Sequence, residues 1–357
     1  MRILMLAWRD MKNPKMGGAE IVSDIYLNGL AGLGHEVVLF SAMYENAKEK
    51  EKYNDYTIIR KGEGLFAHYY GFRYVKHNEG KFDIIIDQVN TIPFFTPLFI
   101  GKKKRRAFFH QLCRNIWFYE ARFPVSLIGY ILEYFYLKLY KNTKMFVVSE
   151  STKKDLEKYA LAKSENVLVL ENQIDFRSLE KIKKKEDYFV YCGRLTESKR
   201  VEDCIKALSL VKDSKLYIIG NGDLEYKRKL NRLIFDLGLH GRVIFTGGIP
   251  NEKRNELMAK ATAILVTSVR EGWGLIVTEA NANGTVAITY DIEGLRDANK
   301  TGFITRYNNP RELAREMNYL LKNKKELEQR SKASLQFAGK HADWNGNVRR
   351  LEKWLGR

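Results

Sequence analysis

The sequence predicts an α/β protein made of two successive, doubly wound parallel-sheet domains, and three observations lead there. Its 357 residues exceed what a single hydrophobic core usually serves. Short continuous apolar runs alternate with helix-patterned stretches along the whole chain. The runs lack the period-two alternation of half-buried strands, as expected when both faces of a parallel sheet are covered by helices. Such domains are Rossmann-like.

In the first half the strand-like runs are 3–8, 37–42, 82–86, 107–110, 145–149 and 167–170. In the second they are 188–192, 216–219, 243–245, 263–266, 286–290 and 303–305. Two series of about six strands divide the chain into a first domain (1–171) and a second (188–343), with no sequence repeat relating them. The stretch 172–187 reads as the linker, because it is charged and poor in periodic apolar positions. Residues 344–357 carry Val348, Leu351, Trp354 and Leu355 at helical spacing and are expected to pack back on the first domain. The two domains are expected to face each other across a cleft, with the carboxyl ends of both sheets turned towards it, where ligands bind.

A net charge of +18, spread over both halves, implies attraction to phosphate: nucleic acid, anionic lipid or a nucleotide. A general bias for solubility is the plainer alternative. Cys113, Cys192 and Cys204 have no metal-ligand spacing and lie in apolar runs, so they read as reduced thiols of a cytosolic protein. No signal peptide is apparent, since the first apolar run ends at Arg9-Asp10. No apolar run approaches the ~20 residues of a membrane span. A cytoplasmic protein, soluble or peripheral on a membrane, is the expectation.

Four stretches carry candidate chemistry. The first, Glu271-Gly-Trp-Gly-Leu-Ile-Val-Thr-Glu279, follows an apolar strand and leads into a helix. A glycine-flanked turn at a helix start presents free N–H groups and a positive dipole end, suited to a phosphate or a sugar hydroxyl. Glu279 would stand roughly 7 Å along the helix, at 1.5 Å per residue, within reach of a ribose. The second, Met16-Gly-Gly-Ala-Glu20, precedes a helical stripe and lets backbone amides approach an anion. An empty βα turn is its plain alternative, and it matches neither the dinucleotide fingerprint nor the phosphate loop.

The third is Cys192-Gly-Arg-Leu-Thr-Glu-Ser-Lys-Arg200. Ser198 could cap a helix carrying Lys199 and Arg200 in its first turn, against the dipole by ~0.3–1 kcal/mol each. An anion shared with Arg194 would remove that conflict; solvated surface cations are the alternative. The fourth is His110, at the carboxyl end of a strand expected to face the cleft, although a lone histidine in an apolar run is more often a satisfied core residue. No histidine pair has metal spacing and no Asp-x-Asp pair offers to hold Mg²⁺. Separately, the aromatic stretch 123–140 behind Lys102-Lys-Lys-Arg-Arg106 could rest on anionic lipid or simply pack on its own domain beside a solvated loop.

Gly17-Gly18, His110, Arg194 with Lys199, and Glu271 through Glu279 occur in the order and spacing of the retaining glycosyltransferases of family 4, and the resemblance runs over nearly the whole chain. It includes Asn172-Gln-Ile-Asp175, Gly294-Leu-Arg-Asp297 and Thr301-Gly302. Gln173, Trp273 and Thr285 stand where that family commonly has Gly, Phe and Pro. The resemblance implies the GT-B arrangement of the two domains and a nucleotide-diphosphate sugar, UDP- or GDP-linked, as donor. By it, 1–171 is the acceptor-side domain and 188–343 the nucleotide-sugar domain, in which Gly193, Arg194 and Lys199 meet the diphosphate and Glu279 the ribose. Glu271 and the amides of Gly272, Trp273, Gly274, Leu275 and Ile276 hold the donor sugar. Gly17 and Gly18 cap the phosphates on closure, His110 touches the sugar near the reacting carbon, and Ile249-Pro250 lie near the base.

The same resemblance implies retention at the anomeric carbon, with no cofactor and no metal. Charge develops on the departing diphosphate, and fixed cations and helix N-termini aimed at it lower the barrier. The expected acceptor is a glycan, a lipid-linked or a protein-linked saccharide at the cytosolic membrane face. A sugar-nucleotide epimerase or sugar-phosphate synthase on the same fold is the first alternative. A non-enzymatic polyanion binder is the second, but no nucleic-acid motif accompanies the charge.

Overall fold

The computed structural model of the chain describes residues 1–174 and 184–356. The middle of the expected linker, with Asp175, lies outside the described residues. The chain divides into two compact units: Met1–Arg114, Leu127–Asn172 and Trp344–Arg357 form the first, Asn115–Ser126 and Gln173–Asp343 the second. Asn115–Ser126, expected inside 1–171, thus belongs with the second unit. There Ser198 donates to Glu120, and Arg122 lies 3.5 Å from Glu225.

The first unit is built on an eight-stranded sheet in the order β3-β4-β2-β1-β5-β6-β7-β8. Its strands are β1 (Arg2–Leu6), β2 (Glu36–Met43), β3 (Lys50–Tyr53), β4 (Tyr56–Glu63), β5 (Ile84–Val89), β6 (Arg105–Phe109), β7 (Lys144–Val147) and β8 (Val167–Val169). All pair in parallel except β3, which closes the edge as an antiparallel hairpin with β4. The six expected runs of this half are strands; β3 and β4 are additional. β3 carries Lys-Glu-Lys-Tyr and reads as a loop, and the inward face of β4 ends on Arg60 rather than on an apolar residue.

Helix α1 (Gly18–Gly32) follows β1 and buries Val22, Tyr26, Leu27 and Leu30. The last helix of the chain spans Trp344–Leu355 and lies on α1. Trp344 meets Tyr26 edge-on at 5.8 Å, Asn347 donates to the Glu171 carbonyl at 2.7 Å, and Arg106 reaches the Leu355 carbonyl at 2.8 Å. The contact requires glycine at 29, because a Cβ there would stand 2.5 Å from Val348.

One expectation about this half changes. Arg105 and Arg106 are buried, donating to Thr143, to the carbonyls of Pro97 and Ile100, and to those of Lys103, Arg105 and Leu355. They fasten the start of β6, so only part of the 102–106 cluster faces solvent. Helix α4 (Val125–Leu139) buries Glu133, Tyr136 and Leu137 but leaves Ile128, Leu132 and Phe135 about half exposed.

The second unit has six strands, all parallel, in the order β11-β10-β9-β12-β13-β14. They are β9 (Glu186–Cys192), β10 (Lys215–Ile219), β11 (Val243–Gly247), β12 (Ala261–Val266), β13 (Val286–Thr289) and β14 (Phe303–Ile304). In both sheets the winding reverses once, between β1 and β5 and between β9 and β12. Carboxyl ends at such a switch point are where doubly wound sheets hold ligands. No helix among the described residues is long and apolar enough to cross a membrane.

Candidate functional site

In the second unit the loops leaving β9 and β12, adjacent strands at the switch point, bring Lys199 and Glu271 together. After β9, Gly193 donates to the Ile219 carbonyl and Leu195 to that of Asn221. Gly220 donates in turn to the carbonyl of Gly247, so the ends of β9, β10 and β11 are tied side by side. The chain then makes a 3₁₀ turn over Glu197–Lys199, passes Arg200 in the left-handed region (φ 49°) and enters α6 (Val201–Ser209). Ser198 is therefore not the cap and Lys199 stands before the helix, because the left-handed backbone of Arg200 separates the turn from α6. The Val201 amide is met instead by the Tyr226 hydroxyl at 3.0 Å.

The turn is pinned to the loop after β12. The Thr267 hydroxyl lies 2.9 and 3.0 Å from the carbonyls of Lys199 and Arg200, and Val269 donates to that of Ser198. This places Lys199 Nζ 2.5 Å from Glu271 Oε1, which also accepts from Ser268 Oγ at 2.8 Å. Arg194 is exposed, and its guanidinium has no partner among the described residues. Gly272, Trp273 and Gly274 are buried, with Gly274 in the left-handed region (φ 90°) as the residue before α9 (Leu275–Ala282). The N–H groups of the first turn of α9 thus open beside the Lys199–Glu271 pair. Glu279, further along α9, faces Arg254 of α8 (Asn251–Lys260) at 3.2 Å. Burial raises its pKa and Arg254 opposes that shift. Ile249 and Pro250 form the turn before α8, the first half-buried and the second exposed.

In the first unit, Gly17 precedes α1 and donates to Glu20 Oε2 at 2.7 Å. The Gly17 amide is therefore engaged, while Gly18 opens the helix. His110 directly follows β6 and is 7% exposed, on Phe108 at a centroid distance of 4.0 Å. Burial pushes its pKa down to about 3, so the ring is neutral at physiological pH. Its Nε2 faces Gln88 at 3.1 Å and Ser23 at 3.4 Å.

Residues 172–337 match the family described as Glycosyl transferases group 1, and residues 16–177 match Glycosyltransferase Family 4. The chain belongs to the glycosyltransferases. The O-antigen chain mannosyltransferase RfbU of Salmonella typhimurium is 30% identical to it over 190 residues, 53% of this chain and 53% of that protein. Curated relatives are matched over only about half of their length. A sucrose-phosphate synthase from Thermosynechococcus elongatus has a TM-score of 0.81 at 16% identity, covering 99% of this chain and 97% of that one. Anabaena HepE, solved with UDP and glucose, has a TM-score of 0.75 at 18% identity, covering 100% and 99%. The fold is that of the GT-B glycosyltransferases.

The structure of this glycosyltransferase also shows what motif reading passed over. Thr267 and Ser268 hold the Lys199 turn and Glu271, and Arg254 holds Glu279. Arg254 had a signal of the kind noticed at Lys199: a cation near the start of a helix, opposed to the dipole. Ser23 and Gln88 carry no spacing that marks them. The Glu271–Gly272 backbone rests on Gly294, where a Cβ would stand 2.0 Å from the Glu271 carbonyl oxygen. Gly294→Ala is expected to destabilise the protein by about 1–3 kcal/mol through overpacking, read by urea unfolding. A change under about 0.5 kcal/mol would mean that the loop yields freely.

Proposed function

We propose that the chain is a retaining, metal-independent glycosyltransferase that moves a sugar from a nucleotide-diphosphate sugar to a glycan, lipid-linked or protein-linked acceptor at the cytosolic membrane face. The observation that carries this reading is the Lys199–Glu271 pair on the loops leaving two adjacent strands at the switch point, with the start of α9 following Glu271 and Arg194, without a side-chain partner among the described residues, on the first of those loops. Arg194 and Lys199, with the α9 amides, supply fixed positive charge for a departing diphosphate, the role a metal serves elsewhere. Glu271 and the amides of Gly272 to Ile276 offer partners to sugar hydroxyls. Glu279 offers its carboxylate to a ribose, and Ile249-Pro250 an apolar edge to a base. In the first unit, the Gly18 amide and His110 are the substrate contacts we assign. A UDP-sugar is supported by HepE having been solved with UDP and glucose, and a glycan acceptor by RfbU being an O-antigen chain mannosyltransferase. The exposed apolar face of α4 favours a membrane-borne acceptor over a small soluble one.

Calorimetric titration with UDP-, GDP- and ADP-sugars in EDTA tests the donor reading. Binding of one nucleotide class without metal is the expected result and names the base. Binding that appears only when Mg²⁺ or Mn²⁺ is restored would remove metal independence, and silence towards all three classes would remove the donor site.

A further inference from the structure

Gln88 lies near the carboxyl end of β5 and is 2% exposed. Its amide nitrogen stands 2.5 Å from Ser23 Oγ and 3.1 Å from His110 Nε2. An amide nitrogen carries two hydrogens and accepts none, so both neighbours are acceptors in this arrangement. A ring nitrogen that accepts is unprotonated, and the proton of a neutral imidazole is then on Nδ1. The Ser23 hydroxyl, at 3.4 Å from the same Nε2, can only donate to it and points the same way. The ring itself cannot turn freely, because Phe108 lies against it and is stacked on Phe146 at 4.2 Å. Nδ1 has no hydrogen-bond partner among the described residues.

Turning the amide over would reverse the tautomer: the carbonyl would accept from Ser23 and from a protonated Nε2. The two orientations differ in what they leave unpaired. With the nitrogen towards Ser23 and His110, the Gln88 carbonyl oxygen is the buried atom without a partner. Turned over, two buried N–H donors would be left instead, and orphaned N–H groups are the rarer and costlier case. We propose that Gln88 is the positioning residue that fixes His110 in its Nδ1–H form, so that the ring presents a donor rather than a lone pair to substrate. The consequence for turnover rests on the reading of His110 as a substrate contact; the tautomer itself does not.

Nitrogen NMR of the ¹⁵N-histidine-labelled protein, with the His110 signals assigned by their loss in His110→Gln, reads the tautomer directly. The wild type is expected to show Nδ1 protonated and Nε2 bare. Gln88→Met keeps the length of the side chain but removes the donor, and should make Nε2–H the major form. A wild-type spectrum with Nε2 protonated overturns the proposal even if the variant fails to fold, and so does an unchanged tautomer in Gln88→Met. With a UDP-sugar donor that binds, kcat of Gln88→Met is expected to fall about tenfold at nearly constant KM. A switched tautomer with unchanged kcat would uphold the assignment and remove His110 from the substrate contacts.

Discussion

Transfer by Lys199→Ala is expected to fall about 10²–10³-fold, the loss seen when one preorganised donor is removed from a site of developing charge. The ammonium is fixed before any substrate arrives. Its carbonyl is held by Thr267 and that of the preceding Ser198 by Val269, and its Nζ rests on Glu271 at 2.5 Å. The site therefore reorganises little when charge appears on a departing phosphate. Folding should be nearly unaffected, because the pair is partly exposed and such pairs are worth about 0–1 kcal/mol. Lys199→Arg keeps the charge but replaces a compact ammonium by a planar fork, so it should restore only part of the rate. The decisive comparison is single-turnover transfer with urea unfolding of the same protein. A rate within about threefold of wild type in a folded variant would show that Arg194 and the α9 amides suffice, and Lys199 would lose its role.

The fold was legible because doubly wound sheets write themselves as uninterrupted apolar runs, and all twelve such runs became strands. What escaped were elements whose signal is polar. The β3–β4 hairpin hides behind Lys50, Glu51 and Lys52, and the inward Arg60 breaks the apolar alternation of its second strand. The basic run at 102–106 misled for the converse reason: Arg105 and Arg106 look solvated in sequence, yet they bond carbonyls inside the unit. At the candidate site, residues spaced along one loop were readable, because a helix start with glycines and carboxylates has its own grammar. The second layer was not. Thr267, Arg254 and Gln88 act through residues 68, 25 and 22 positions away, and no local pattern records a contact of that range.

Asp10→Ala is expected to destabilise the protein by about 3 kcal/mol, as breaking a buried ion pair does. The Arg60 side chain is fully buried and donates to both Asp10 oxygens, at 2.7 and 2.8 Å. Ser41 adds a bond to Asp10 at 2.7 Å, and Glu51 takes the remaining edge of the guanidinium at 2.6 Å. Without Asp10 the guanidinium keeps Glu51 and the Lys48 carbonyl, which places the loss at the lower end of the range for such pairs. The network joins the β3–β4 hairpin to the loop after β1, where Lys12 donates its amide to Asp10, a few residues before Gly17. Burial alone would raise the Asp10 pKa, but the bonds from Arg60, Ser41 and the Lys12 amide outweigh it and hold the carboxyl below its usual value. A depressed carboxylate contributes its stability above the unfolded pKa of about 3.9 and loses it as pH falls through the folded value. The difference between wild type and Asp10→Ala should therefore be full at neutral pH and shrink below about pH 4. Urea unfolding of both proteins across that interval measures it, and a gap under about 1 kcal/mol at pH 7 would mean that Glu51 alone satisfies Arg60. Replacing Asp10 and Arg60 together by apolar residues of similar volume should recover most of the loss, since the penalty comes from leaving one charge buried without the other.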